Sequence, residues 1–305
     1  QSVMFKLIQI YFLLFFLAVS VLLKGQTEIG NPYVKNFNTK KHKISATIWD
    51  ITQDKKGLMY FGTANGVLQF DGSSWRTIKV DNKSTVRSLD VDKNGRVYVG
   101  AKGEFGYLSE DSLGYPKYVS LSKNLEEKHK SFADVWNIYV TDEGVFFLSF
   151  QRIFQWKNNE FKIYEYDDIT AHLGFYVNNK LYLVRIKEGL HYYKNEAFVP
   201  VPGGEHYLGK TIFSILPYDD ENVIVATRNE GLEKHNIKTG IVTPFNNVAN
   251  DELKASKIYH GAMSEKGEYI IATLNNGIYV IDKQGNLITN INQQNGLQSN
   301  NYFKF

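Results

Sequence analysis

The sequence contains no cysteine, and this absence removes several kinds of protein from consideration. Disulfide bonds, zinc sites with thiolate ligands, cysteine nucleophiles and a lipid-anchoring cysteine behind a leader are all excluded. A chain of 305 residues can build a large core without disulfide bonds. The lack of cysteine therefore leaves open whether the compartment is oxidising.

A concentration of charge of one sign is also missing. The chain has 35 Lys and Arg against 32 Asp and Glu, a formal net charge of +3, and the two signs are interspersed. Binding of nucleic acid needs a clustered basic face, so nucleic acid is not an expected partner of this region. The 7 histidines show no metal-ligand spacing. We therefore expect no metal site and no cofactor.

Proline is scarce, with 6 residues, whereas aromatic residues are abundant, with 20 Tyr, 20 Phe and 4 Trp. Aromatic and β-branched side chains suit the pleated, half-buried surface of a strand. Outside the N-terminal region, no long segment has its apolar residues at helical spacing. Together, these features predict an all-β fold.

A single long apolar run lies near the N-terminus, from residue 7 to residue 23, with Lys6 before it and Lys24 after it. A basic flank and a short apolar stretch are typical of a secretory signal peptide, here residues 1–25 with its start at Met4. The alternative is an uncleaved anchor helix, although the run is at the short edge of what spans a bilayer core of roughly 30 Å. In either case we expect the rest of the chain to lie outside the cytoplasm, with residues 26–45 as a lead-in segment.

Beyond the lead-in segment, the sequence repeats. Each unit has an apolar stretch, a turn rich in Asp, Asn or Gly, a second apolar stretch and, in most units, a second turn that contains Gly. The first turn falls at Gly57, Gly95, Gly144, Asn179, Glu221 and Gly267. The 210 residues from the first of these to the last, in five steps, give a mean repeat of 42. Propeller blades have about 40–50 residues, whereas short helical repeats are nearer to ~34.

Such turns separate short antiparallel strands, because Gly and Asn tolerate the positive φ of tight hairpins. A meander of four strands cannot bury both of its faces alone, and stacking several meanders around an axis buries them. The sequence therefore predicts an all-β propeller of four-stranded antiparallel blades, with about six repeats of ~42 residues over residues 46–293. Residues 294–305 read as the start of a further blade, so we expect a propeller that is incomplete at the C-terminus.

The repeat resembles the two-component regulator propeller repeat, whose pattern is Val-x-x-Ile-x-x-Asp-x-x-Gly-x-Leu-Trp-Ile-Gly-Thr-x-x-Gly-Leu. Residues 48–68 match it best, with Tyr-Phe-Gly-Thr in place of Trp-Ile-Gly-Thr, and residues 221–232 and 267–278 match it well. The second and third units are looser and the fourth is poor. The resemblance extends over roughly residues 45–305.

The opening from residue 30 through Trp75 is also similar to the start of secreted sensor regulators of Bacteroidetes-type bacteria. In that family the propeller is periplasmic, and a triple-tyrosine immunoglobulin-like domain and a membrane helix follow it. A histidine kinase or a LuxR-type helix-turn-helix lies beyond the membrane. The resemblance implies a periplasmic sensor region for signal transduction and transcription regulation. Its membrane tether would be an uncleaved N-terminal segment or a later C-terminal helix.

One column of the repeat suits ligand binding. Eight residues before the turn positions are Trp49, Arg87, Trp136, Ala171, Phe213 and Tyr259. If this strand is the innermost of each blade, aromatic faces and Arg line the channel mouth, where they stack on and hydrogen-bond a sugar or another polar ligand. The alternative is packing between neighbouring blades. The candidate binding residues are therefore Trp49, Arg87, Trp136, Phe213 and Tyr259, and no catalytic residue is assigned.

Three functions stay open at this point. The first is an extracytoplasmic ligand-sensing propeller of a transmembrane regulator, without catalysis in this region. Its expected ligand is a small molecule or an oligosaccharide, and homodimerisation is left open. The second is a secreted propeller enzyme acting on polysaccharide, a lyase or a glycosidase, of which the latter needs paired carboxylates. The third is a secreted scaffold that binds another protein.

Overall fold

The fold is a ring of six β-sheets. A computed structural model describes residues 47–168, 174–246, 248–297 and 299–300, which include the whole repeat region except the segment before the fourth unit and two single positions. Six four-stranded antiparallel sheets are formed, and within each sheet the strands are neighbours in chain order. The innermost strands of all six sheets line a common central cavity. The prediction of an all-β propeller with about six four-stranded blades is confirmed.

Each blade runs outward from its first strand to its fourth. The strands of blade 1 are Ile48–Gln53 (β1), Met59–Thr63 (β2), Gly66–Phe70 (β3) and Trp75–Ile78 (β4). Those of blade 2 are Val86–Val91 (β5), Val97–Ala101 (β6), Glu104–Glu110 (β7) and Pro116–Ser120 (β8). Those of blade 3 are Val135–Thr141 (β9), Gly144–Ser149 (β10), Arg152–Lys157 (β11) and Glu160–Glu165 (β12).

The second half of the ring follows the same plan. The strands of blade 4 are Gly174–Val177 (β13), Lys180–Arg185 (β14), Gly189–Lys194 (β15) and Ala197–Pro200 (β16). Those of blade 5 are Ile212–Pro217 (β17), Asn222–Thr227 (β18), Gly231–Asn236 (β19) and Val242–Pro244 (β20). Those of blade 6 are Ile258–Met263 (β21), Tyr269–Thr273 (β22), Ile278–Ile281 (β23) and Leu287–Ile291 (β24).

Within the described ranges, helical structure is found in connections between and after the blades. The α-helix Asn250–Ser256 (α1) joins blade 5 to blade 6, and its Leu253 is fully buried. The short 3-10 turns are Ser122–Asn124, Glu127–His129, Gly204–Tyr207 and Gln293–Asn295. In the described part of the chain, no helix is long and apolar enough to cross a membrane. The apolar run of residues 7–23 lies outside the described residues.

The predicted turn positions all lie at the hairpin between the first and second strands of a blade. Gly57, Gly95 and Gly267 have φ values of 84°, 85° and 82°, in the region that favours glycine. In blade 4 the same hairpin is made by Asn178 and Asn179, with φ values of 49° and 57°, which Asn tolerates better than most residues. The Gly and Asn residues of the repeat therefore mark positions at which the backbone needs a positive φ.

Apolar side chains from neighbouring blades form five separate core clusters, one at each boundary from blades 1 and 2 to blades 5 and 6. Between blades 2 and 3, for example, the buried rings of Phe105 and Phe147 stack with centroids 4.4 Å apart, and Phe154 packs beside them. Each such ring contributes about 1.5–3 kcal/mol by its removal from water. The apolar faces that a single sheet leaves exposed are thus buried between neighbouring sheets, as the repeat pattern predicts.

Polar bonds also join the innermost strands. Asp50 in β1 accepts a hydrogen bond from the backbone N–H of Leu89 in β5 at 2.8 Å. Asp90 in β5 accepts one from the backbone N–H of Val140 in β9 at 2.7 Å. Further round the ring, the hydroxyl of Ser214 in β17 donates to a backbone carbonyl of β21 at 2.8 Å. These bonds fix the spacing of the strands around the central cavity.

Candidate functional site

The central cavity has a volume of about 850 Å³ and is lined by residues from β1, β5, β9, β13, β17 and β21. The backbone of each of these strands is already paired with the second strand of its own blade. Each innermost strand is paired along one edge only, so its other edge and its side chains both face the cavity. The side chains, which differ from strand to strand, give the cavity its particular chemical character.

Five innermost strands share an irregularity at their second residue. In β1, Ile48 pairs with Thr63 and Asp50 pairs with Gly62, so Trp49 between them has no cross-strand partner. The same one-residue β-bulge occurs in four further strands, at Arg87, Trp136, Phe213 and Tyr259. A bulge breaks the alternation of a strand and re-aims one side chain. All five bulged side chains line the cavity.

These five residues are the ones that the repeat column predicted as ligand-binding residues. The structure brings them together at the same level of five neighbouring strands, each half-buried. The sixth member of the column, Ala171, lies outside the described residues. Blade 4 instead contributes Phe175 and Tyr176 to the cavity wall. The role of the five residues in binding stays a prediction.

Arg87 organises one side of the cavity mouth. Its guanidinium carbon lies 3.9 Å from the ring centroid of Trp49 and 4.7 Å from that of Trp136. Its Nε donates to Asp134 at 2.7 Å, and both of these side chains are 17% exposed. The two indole rings meet edge to face, with centroids 5.9 Å apart. The five residues therefore also contact residues of other blades. Facing the channel and packing between blades thus occur together in this structure.

A second group lies on the other side of the ring. The rings of Phe213 and Tyr259 stack with centroids 4.8 Å apart and an interplanar angle of 29°. The guanidinium carbon of Arg228 lies 4.7 Å from the centroid of Phe213. Arg228 directly follows β18, whose last residue pairs with the first residue of β17, so it stands at the level of the bulges. The cavity mouth thus has two aromatic groups, each with an arginine on an aromatic face.

Acidic groups lie among the same lining residues. Asp50 and Asp90 both line the cavity. Burial raises the pKa of Tyr139, which also lines it, and the negative charges of Asp90 and Asp50 raise this pKa further. The hydroxyl of Tyr139 donates to the carbonyl of Gly174 in blade 4. Tyr139 is therefore neutral across the physiological range and serves as a hydrogen-bond donor.

In the described ranges, no group of three or more His, Asp or Glu side chains lies close enough together to hold a metal ion. Among the histidines, His260 lines the cavity, next to the bulged Tyr259. Neither His260 nor Arg228 is among the binding residues predicted from the sequence. A column of equivalent positions reveals residues that recur at one register, and these two residues stand one position beyond a strand end or a bulge. No further signal in a single sequence separates them from ordinary loop and core residues.

The chain was compared with protein-family models, curated proteins and solved structures, and the solved structures share its fold. The sequence matches no protein-family model and no curated protein. The extracellular domain of a putative one-component system from B. thetaiotaomicron superposes with a TM-score of 0.63 at 17% identity, over 90% of this chain and 37% of that one. The chain has the fold of that domain. It spans little more than a third of the domain's length.

Other propellers superpose nearly as well. The WD40 propeller domain of Doa1 has a TM-score of 0.60 at 13% identity, over 85% of this chain and 88% of that one. Virginiamycin B lyase from Staphylococcus aureus has a TM-score of 0.56 at 13% identity, over 79% of this chain and 82% of that one. An extracellular domain of a putative one-component system, a WD40 domain and a lyase thus share one architecture. Function has to be argued from the cavity.

Proposed function

We propose that this chain is the ligand-binding propeller of an extracytoplasmic sensor and that its ligand occupies the mouth of the central cavity. The observation that carries the proposal is the set of five β-bulges at one register, each turning a large side chain toward the same cavity. Core packing alone does not require a bulge, because the regular alternation of a strand already supplies side chains to both faces. Bulges that recur beside a cavity are typical of functional sites.

The chemistry of the mouth suits a polar molecule with flat faces. Aromatic rings stack on the apolar faces of sugar rings, and guanidinium groups donate hydrogen bonds in a fixed plane. The volume of about 850 Å³ falls within the range of about 300–1,000 Å³ that is usual for small-molecule sites. It exceeds what one monosaccharide fills. These features support an oligosaccharide or a small molecule of similar size as the ligand.

The cellular setting of the proposal comes from two observations. The fold is shared with an extracellular domain of a putative one-component system, and an apolar run with basic flanks lies near the N-terminus. Both favour an extracytoplasmic location and a connection to a transmembrane regulator. The output would then lie on another part of a longer protein, as in the sensor regulators that the repeat resembles.

An enzyme is the second candidate, because a lyase shares the fold and His260 lines the cavity. A glycosidase needs two carboxylates free to act on a substrate. In the cavity wall, Asp50 and Asp90 already accept backbone N–H groups from the next innermost strand, at 2.8 Å and 2.7 Å. Their arrangement suits a structural role, which favours binding over hydrolysis.

The test uses the four tryptophans of the full chain as reporters. Trp49 and Trp136 line the cavity, whereas Trp75 and Trp156 do not. The indole N–H signals are followed by NMR and assigned with single Trp→Phe variants. The protein is titrated with cellohexaose, xylohexaose and mannohexaose, and with the charged monosaccharides glucuronate, glucose 6-sulfate and glucosamine. We expect saturable shifts of the Trp49 and Trp136 signals with at least one probe.

Two variants separate binding from stability. Tyr259→Ala is expected to weaken the affinity at least tenfold per folded molecule, because it removes one ring of the stacked pair. The matched control is Trp75→Ala, which removes an aromatic ring stacked on Phe70 away from the cavity. Shifts confined to Trp75 and Trp156, or equal affinities of the two variants, would count against a channel site. Turnover of a probe that His260→Ala abolishes would favour the enzyme.

A further inference from the structure

Arg228 is fixed by its backbone beside two cavity-lining bulges. Its N–H donates to the carbonyl of Thr211, just before β17, at 3.0 Å. Its carbonyl accepts from the N–H of Ile258, the first residue of β21, at 3.2 Å. The residue therefore bridges the starts of two innermost strands, beside the bulges that carry Phe213 and Tyr259. Its side chain lies over the ring of Phe213 rather than extending into solvent.

The guanidinium of Arg228 lacks the carboxylate partners of Arg87 and Arg185, the two other half-buried arginines that lie on aromatic rings. Arg87 pairs with Asp134 at 2.7 Å. Arg185, which lies over the ring of Tyr166, pairs with Asp168 at 2.9 Å and with Glu188 at 2.8 Å. Among the residues that the structure describes, no carboxylate lies within 4.0 Å of the Arg228 guanidinium, and its buried Nε has no hydrogen-bond acceptor.

The acidic residues nearest to Arg228 in sequence are already engaged. Glu230 pairs with Lys210 at 2.7 Å, and Glu233 accepts at 2.9 Å from the ring of His206. An arginine that is held on an aromatic face, partly removed from water and without a counter-ion is costly, since buried polar groups are normally satisfied. An oxyanion would satisfy it, because the guanidinium edge matches the two oxygens of a carboxylate or sulfate.

We infer that the ligand of this site is an anion whose carboxylate or sulfate group is bound by Arg228, while a flat ring of the same molecule lies against Phe213 and Tyr259. This inference rests on the proposed function and adds the charge of the ligand to it. The negative charges of Asp50 and Asp90 in the cavity wall keep the anionic group at the mouth and leave the inner part of the cavity to neutral groups.

The experiment compares four monosaccharide probes that differ in charge: glucuronate, glucose 6-sulfate, glucose and glucosamine. Their affinities for the full chain are measured through the indole signals and by calorimetry. We expect both anions to bind at least tenfold more tightly than glucose and glucosamine, and we expect the difference to shrink with added salt. A preference for only one of the two anions identifies which oxyanion the site accepts.

Arg228→Met is expected to remove the tenfold preference, so that the anions bind no more tightly than glucose. Arg228→Lys keeps the charge without the planar edge and should retain part of the preference. If Arg228→Met does not fold, as judged by its melting temperature and indole spectrum, Arg228→Gln takes its place. The matched control is Arg96→Met, since Arg96 also lies over an aromatic ring, that of Tyr107, but outside the cavity.

An anion preference that survives in the Arg228 variants would overturn the inference, as would tighter binding of glucose or glucosamine to the wild type. Binding of only the neutral hexasaccharides at Trp49 and Trp136 would also overturn it, yet would leave the channel as a binding site. If no probe of either charge class moves those two indole signals or gives a calorimetric binding signal, the inference and the proposed function fall together.

Discussion

Arg87 connects three blades through one guanidinium group, because Trp49 belongs to blade 1, Arg87 to blade 2 and Trp136 to blade 3. The ion pair with Asp134 is shielded, with 17% exposure on each side, so water compensates poorly for its loss. One of the five candidate binding residues, Arg87, therefore also holds neighbouring blades together. The stability of an Arg87 variant therefore has to be measured before a change in its ligand affinity is interpreted.

We predict that Arg87→Met lowers the free energy of unfolding by about 2 kcal/mol, because it leaves the Asp134 carboxylate half-buried without its partner. The measurement is urea denaturation followed by tryptophan fluorescence. Arg152→Met is the matched control, since the pair of Arg152 with Glu165 is more exposed, at 25% and 55%. Its loss should cost less than about 1 kcal/mol. Equal losses in the two variants would contradict the view of Arg87 as a joint between blades.

At the scale of the element, several hairpins depend on an ionised aspartate. Asp111 accepts hydrogen bonds from the backbone N–H groups of Leu113 and Tyr115, both at 2.9 Å. These bonds, that from Tyr115 first, lower the pKa of Asp111 below its ordinary value of 3.8. The side chain and backbone of Asn286 do the same for the pKa of Asp282. The aspartates of these two hairpins, each between the third and fourth strands of a blade, therefore act as carboxylates and not only as formers of tight backbone.

The lowered pKa values fix the sign of the pH dependence. A group whose pKa is lower in the folded state stabilises the fold at pH values above its unfolded pKa, and this contribution is lost as the pH falls through the folded pKa. We predict that these groups stabilise the fold fully near neutral pH, where the melting temperature does not change with pH on their account, and that the melting temperature decreases as the pH falls below 3.8, the ordinary pKa of Asp.

Thermal melts of the wild type and of the double variant Asp111→Asn/Asp282→Asn test this dependence. The variant should be less stable than the wild type at neutral pH, and its melting temperature should decrease less on acidification, because it has two fewer carboxylates to protonate. Asp220→Asn is a suitable control, since Asp220 is an exposed residue of a similar hairpin. Parallel pH curves of the wild type and the double variant would contradict the assignment.

The sequence predicts the hairpins and misses the bulges, for a physical reason. A hairpin turn selects residue types, such as Gly57 or Asn179, that tolerate positive φ, so the backbone requirement is visible in the residue itself. A bulge at Trp49 or Phe213 accepts any residue, because it is defined by the register of the neighbouring strand. The site column was found from its fixed distance to the turn positions together with residue type, and Arg228, which lies outside that column, was not found.

At the scale of the whole molecule, the two aromatic groups stand on opposite sides of one cavity. Blades 2 and 5 are three positions apart in a ring of six, so the group around Arg87 faces the group around Phe213. The first group ties blades 1 to 3 together, and the second ties blades 5 and 6. A ligand that contacts both groups therefore connects parts of the ring that share few direct contacts.

We predict that cellohexaose or glucuronate, whichever shifts the Trp49 and Trp136 signals, slows amide hydrogen exchange on both sides of the ring. At ten times the dissociation constant, binding should stabilise the folded state by about 1.4 kcal/mol. Because the backbone of each innermost strand is bonded to its own blade, protection should extend outward from β1, β5 and β9 as well as from β17 and β21. Protection confined to β17 and β21 would mean that only the Phe213 and Tyr259 group holds the ligand. In that case ligand binding would not change the rigidity of the whole ring. The proposed sensor would then have to signal through blades 5 and 6 alone.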